Sequence, residues 1–312
     1  VDTEELITGV LAGERRAVAR AISLVEDGDP GLEGLSAGIY AATGTAGTIG
    51  LTGAPGVGKS TLATELVRAA RDQDLRVAVL AVDPTSPYTG GALLGDRVRM
   101  QEHATDPDVF IRSMATRGHL GGMALAAPEA VRILDAAGYA RVIVETVGVG
   151  QAEVDVAAAT DTAVVVLAPG FGDAVQMAKA GILEIADIFV VNKADREGAA
   201  DVVRELRQML RLGGAREWDP PVLETTASDH VGVDELWEAI QGHRAYLSSS
   251  GALSAKRLAR LLREVEALAA ERFRSNAAAR LAAEPELTAD LEARRIDPYA
   301  VAAMLVRKAT DS

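Results

Sequence analysis

The chain has 312 residues, 48% of them hydrophobic and 25% charged, enough for one large core or one core with a smaller appended unit. A formal net charge of −13 argues against nucleic acid as the main partner, and the absence of cysteine excludes disulfides, thiolate metal sites and a cysteine nucleophile. No apolar run nears the ~18–20 residues of a membrane span and the opening residues are acidic, so a soluble cytoplasmic protein without signal peptide or membrane contact is expected.

Residues 2–27 read as one helix: Asp2 and Glu5 offer a cap, and Leu6, Val10, Leu11, Val18, Ile22 and Val25 recur near helical spacing. Gly28-Asp29-Pro30 ends it. Strands are expected over 48–52, 76–82, 109–112, 141–145, 163–167, 188–192 and 222–225. Most are continuous apolar runs, as strands covered on both faces should be, and helical stretches lie between them. The expected fold is therefore α/β, a doubly wound and mostly parallel sheet with helical extensions at both termini. Ser248-Ser249-Ser250-Gly251 is the expected linker, giving an N-terminal extension (1–45), a central domain (46–247) and a C-terminal helical part (252–312). Leu258, Leu261, Leu262, Val265, Leu268 and Phe273 mark an amphipathic helix in that last part. Such a face suits the chain's own domain or a second subunit, and periodicity does not choose between them.

The chemistry sits at the ends of these strands. Gly53, Ala54, Pro55, Gly56, Val57, Gly58, Lys59, Ser60 and Thr61 complete G-x-x-x-x-G-K-[ST] between a strand and a helix. That arrangement aims backbone N–H groups and a helix N-terminus at a polyphosphate. Lys59 is expected on the β- and γ-phosphates, Ser60 on Mg²⁺ and Thr61 on the α-phosphate.

Asn192-Lys193-Ala194-Asp195 follows a later strand, where the Asp195 carboxylate can accept from the N1 and N2 donors of guanine. Adenine has no such donor pair, so GTP and GDP are the expected ligands. Thr226, Ala227 and Ser228 suit a backbone contact to the guanine O6.

Glu145-Thr146-Val147-Gly148 stands where Asp-x-x-Gly is common, pointing to a magnesium-water or water-positioning carboxylate and a γ-phosphate-sensing glycine. The stretch through Gln151 reads as a switch that orders with the triphosphate. Asp83 and Asp96 are further candidate magnesium-shell carboxylates. The four histidines lack ligand spacing.

Together with Asp83-Pro84-Thr85-Ser86, Gly95-Asp96-Arg97 and the run from Pro169 through Gln176 to Lys179, these motifs resemble the MeaB/ArgK family, GTPase chaperones of adenosylcobalamin-dependent methylmalonyl-CoA mutase. The resemblance covers nearly the whole chain. It implies a homodimeric, Mg²⁺-dependent P-loop GTPase of slow intrinsic turnover, with Gln176 and Lys179 on a loop that relays nucleotide state to the mutase and C-terminal helices forming a dimerisation arm. Older descriptions of the family imply instead a lysine/arginine/ornithine transport ATPase or kinase. Nickel-inserting and signal-recognition GTPases fit less well: the chain lacks cysteine ligands and histidine runs, and it carries six methionines and an acidic balance.

Overall fold

A computed structural model describes residues 2–83, 103, 105–115, 122–146, 156, 158–170, 182–212 and 216–310. The N-terminal stretch forms α1 (Thr3–Leu11) and α2 (Arg15–Asp27) rather than one helix. Asp2 caps α1 by accepting from Glu4 N at 3.0 Å. The ladder then stops at Gly13, whose left-handed backbone turns Gly13 N back to Val10 O and Glu14 N to Gly9 O, and Glu14 is extended before α2 begins. Gly28 ends α2 in the left-handed conformation, and α3 (Leu32–Ile39) follows.

Seven strands then form one sheet: β1 (Gly47–Thr52), β2 (Val77–Asp83), β3 (Val109–Ala115), β4 (Arg141–Thr146), β5 (Thr162–Leu167), β6 (Ile188–Asn192) and β7 (Val222–Thr225). Their order is β3-β2-β4-β1-β5-β6-β7 and every pairing is parallel. Each expected strand is present within a few residues of its expected bounds. Among the described residues the connecting helices are α4 (Lys59–Arg71), α5 (Gly122–Ala136), a single turn at Ile182–Ile185, α6 (Ala199–Leu212) and α7 (Val233–Ser249).

Successive strand residues point to opposite faces, and here both faces are apolar. Val77 and Val79 join Ile49, Leu51, Val164 and Ile188 beneath α4 and α7. Ala78, Leu80 and Val82 join Phe110, Val142 and Val144 beneath α1, α2, α3 and α5, so the N-terminal helices share the sheet's own core. Parallel pairing brings the C-terminal ends of all seven strands to one edge. Central β1 lies between β4 and β5, where the chain switches from one side of the sheet to the other, and α/β folds bind ligands at that crevice.

The opposite edge is held by charge. Asp161, immediately before β5 and with its side chain only 3% exposed, accepts from Arg257 Nη2 at 2.6 Å and Arg260 Nη2 at 3.0 Å. Arg257 also donates to the carbonyls of Gly44 and Ala46 ahead of β1. Lys256 bridges Asp161 O and Asp187 Oδ2, and buried His243 meets Thr162 Oγ1 at 2.9 Å. Burial pushes the Asp161 carboxyl upward, but the two guanidiniums outweigh it and its pKa ends below the usual carboxylate value.

These three cations belong to the start of α8 (Ala252–Ala283), which follows α7 after a break at Ser250-Gly251. The chain divides into two compact units, residues 1–260 and 261–312. The second contains the remainder of α8, then α9 (Pro285–Glu292) and α10 (Pro298–Thr310), with Val301 and Leu305 buried.

Candidate nucleotide site

The loop from Gly53 to Gly58 joins β1 to the N-terminus of α4, as the phosphate-binding pattern requires. Its backbone is shaped by what lies beneath. Gly53 has φ +140°, and a Cβ there would strike the Val166 carbonyl of β5. At Gly58, φ +99°, a Cβ would strike the Asn192 amide. Only glycine fits either place.

Lys59 is buried in the first turn of α4, with Nζ donating to Gly53 O at 2.7 Å and Ala54 O at 3.1 Å. The ammonium thus lies in the concavity of its own loop. Beside it, Ser60 Oγ donates to Glu145 Oε1 at 2.6 Å. Glu145 is placed by register: β4 pairs with β1 so that Glu145 stands against Leu51, two residues before the loop. Thr61 occupies the next half-buried position on α4.

The two motifs far apart in sequence meet through one side chain. Asn192, at the end of β6, donates from Nδ2 to Val57 O at 2.8 Å. Its Oδ1 accepts from Thr225 Oγ1 and from Ala227 N, both at 3.1 Å. Asn192 therefore ties the phosphate loop to the loop after β7. Lys193 adds a second tie, from Nζ to Gly56 O at 2.5 Å, and takes a left-handed backbone to do so. Partial burial and neighbouring Arg196 lower the Lys193 pKa, against the pull of Asp195. Asp195 itself stands exposed.

Residues 18–282 match the family described as methylmalonyl-CoA mutase-associated GTPase MeaB. The chain belongs to the MeaB family of P-loop GTPases. A GTPase of Pyrococcus horikoshii is 49% identical over 309 residues, covering 98% of each chain. The GTPase ArgK of Escherichia coli is 40% identical over 258 residues, 80% of this chain and 78% of that one. The mitochondrial methylmalonic aciduria type A homolog of Mus musculus is 35% identical over 275 residues, 81% of this chain and 66% of that one. Among solved structures, that of a LAO/AO transport system kinase aligns over 99% of this chain and 97% of its own, at 28% identity and a TM-score of 0.71. Guanine-nucleotide binding follows from membership of this MeaB-family GTPase group.

In this MeaB-family chain the donor set suits magnesium. A serine hydroxyl and a carboxylate, already in contact at the N-terminus of α4, are hard oxygen ligands of the kind Mg²⁺ takes. Among the described residues no group of three or more acids or histidines gathers to hold a metal unaided. A nucleotide-bound Mg²⁺ needs none, because phosphate oxygens and waters complete its shell. Asp83 closes β2 at the same sheet edge, and only its backbone is described. Asp96, Gly148, Gln151, Gln176 and Lys179 lie outside the described residues.

Thr226, Ala227 and Ser228 follow β7, and the Ala227 amide donates to Asn192 Oδ1. The amide of Thr226 donates to Val231 O. Motif reading passes over two buried hydroxyls at this edge, Thr52 Oγ1 and Thr146 Oγ1, which have no hydrogen-bond partner among the described residues. It also passes over His230 and Glu65. A threonine ending an apolar strand was the available signal for the first pair; the second pair left none in sequence.

Proposed function

We propose that this chain is a magnesium-dependent GTPase of slow intrinsic turnover that assembles, protects or reactivates an adenosylcobalamin-dependent methylmalonyl-CoA mutase. The observation that carries the GTPase half is the Asn192 bridge, which joins a phosphate cradle to a base-reading loop at a single residue. The mutase half is supported by the family's description and by the methylmalonic aciduria name of a relative.

In this reading the Gly53–Thr61 amides and Lys59 hold the triphosphate. Lys59 Nζ exchanges the Gly53 and Ala54 carbonyls for β- and γ-phosphate oxygens. Ser60 and Glu145 would hold Mg²⁺, with Asp83 and Asp96 as further candidate carboxylates of its shell. Bound magnesium would supply charge neutralisation across the β- and γ-phosphates. Glu145, Gly148 and Gln151 would place the attacking water and sense the γ-phosphate. Asp195 would select guanine, and Thr226, Ala227 and Ser228 would border its O6. Gln176 and Lys179 would report nucleotide state to the mutase.

The three-part division (1–45, 46–247, 252–312), a cytoplasmic setting and a homodimer belong to the same proposal. The dimer is supported by an apolar stripe on α8: Leu258, Leu262 and Val265 are 57%, 55% and 62% exposed, at alternating spacings of four and three residues. Among the described residues no helix is long and apolar enough to cross a membrane.

GTP hydrolysis measured with and without purified mutase tests the pairing. A slow basal rate that changes on adding mutase is expected, since partners that complete such sites act by ~10³–10⁵-fold; a rate indifferent to mutase would overturn the chaperone role. The runner-up, a transport-system ATPase or kinase, has in its favour the name borne by the similar solved structure. Competition between ATP and GTP separates the two, and ATP preference would revive the second.

A further inference from the structure

We propose that His230 is a positioning residue for guanine recognition, holding the loop after β7 against the phosphate-binding helix through Glu65. The inference rests on the reading that this loop meets the base. His230 Nδ1 lies 2.6 Å from Glu65 Oε2. A carboxylate only accepts, so the imidazole donates through Nδ1–H. Glu65 sits on α4, about one and two-thirds turns after Lys59, with its side chain 7% exposed. Arg68 Nε pins the same oxygen from within α4 at 3.0 Å, so the acceptor is fixed before the loop arrives.

The loop is built to deliver that ring. Thr226 and Val231 exchange backbone hydrogen bonds at 3.0 and 3.3 Å, and Asp229 N returns to Thr226 O at 2.9 Å. His230 adopts φ +61°, a left-handed conformation that non-glycine residues seldom take. Gly232 closes the turn where a Cβ would strike the Glu224 carbonyl.

The segment Thr226–Ser228 is thus held from two sides. Asn192 binds Ala227 N and reaches Val57 O, while His230 reaches Glu65. One strut ends on the phosphate loop and the other on the helix that follows it. A plain surface ion pair is the competing account, and the His230 side chain is indeed 60% exposed. Exposed pairs contribute little to stability. The two accounts therefore part over nucleotide affinity, where loop placement matters and an incidental ion pair does not.

The test compares the parent chain with His230→Gly, His230→Asn and Asp195→Asn, measuring GDP and GTP dissociation constants, kcat, KM and thermal midpoint. Glycine removes the donor while tolerating the left-handed backbone; asparagine tolerates it too and keeps an amide donor near the Nδ1 position. His230→Gly is expected to weaken GDP and GTP alike by about 10-fold, as loss of a charge-assisted hydrogen bond would, and to raise KM with kcat within about two-fold. His230→Asn should recover most of that loss, and both variants should keep the parent thermal midpoint. If Asp195→Asn loses GDP while His230→Gly matches the parent, the positioning role is overturned and the base site stands. If Asp195→Asn binds GDP like the parent, the base site itself has been misread. A His230→Gly variant that loses thermal midpoint and kcat together would make the contact a fold element, which also overturns the proposal.

Discussion

The two edges of the sheet are built from opposite materials. At the N-terminal ends of β1, β5 and β6, buried Asp161 and half-buried Asp187 are gripped by Arg257, Arg260, Lys256 and His243. At the C-terminal ends, two lysines and an asparagine donate to backbone carbonyls of a glycine-rich loop. Buried charge pairs are costly to separate, so the first edge is a fixed base. Lysine–carbonyl bonds are readily exchanged for stronger lysine–phosphate ones, so under the proposed function the second edge would be the receptor. The same strands run between them, and function collects where the bonds are replaceable.

The sharpest way to break this contrast is Asp161→Ala. Removing one partner from a buried pair should cost about 3–5 kcal/mol in urea unfolding, while the GDP affinity of the folded protein stays within about two-fold. A stable variant with weakened GDP binding would reverse the assignment of the two edges. Asn192→Ala should show the converse. It leaves Val57 O, Thr225 Oγ1 and Ala227 N without their shared partner, and GDP affinity should fall about 10–100-fold in calorimetry, with a smaller stability loss than at Asp161.

Acid offers a gentler probe. Burial lowers the His243 pKa, with Lys256 reinforcing and Asp187 and Asp161 opposing, so the unfolded chain binds this proton more readily than the folded one. Stability from this group is complete above the unfolded value of about 6.5 and is lost as pH falls below it. Asp161, whose folded pKa is also depressed, adds a further loss below about pH 4. Unfolding free energies from denaturant titrations between pH 7.5 and 5 should decline by no more than about 1.4 kcal/mol per pH unit on account of this group, and His243→Gln should flatten that decline. An unchanged slope in the variant would remove His243 from the base.

The strands were legible because β1 through β6 carry apolar residues on both faces, and the phosphate loop because its glycines and lysine recur at fixed spacing. The break at residues 12–14 was not legible. Leu6, Val10, Val18 and Ile22 keep apolar spacing across it, and all four join one core cluster after the chain turns. The base was hidden for another reason. Arg257 and Asp161 lie 96 residues apart, and a basic helix start beside a lone aspartate carries no periodic signal. His230 and Glu65, 165 residues apart, are hidden in the same way. Local pattern reveals what a residue's neighbours in sequence demand, whereas these pairs exist only once the sheet has formed.

Asn192 has one last consequence. Because a single amide spans Val57 and Ala227, the separation between the Gly53–Gly58 loop and the loop after β7, the proposed phosphate and base sites, is set like the jaws of a caliper. Ligands too long or too short between ring and phosphate should be refused even when each end is chemically perfect.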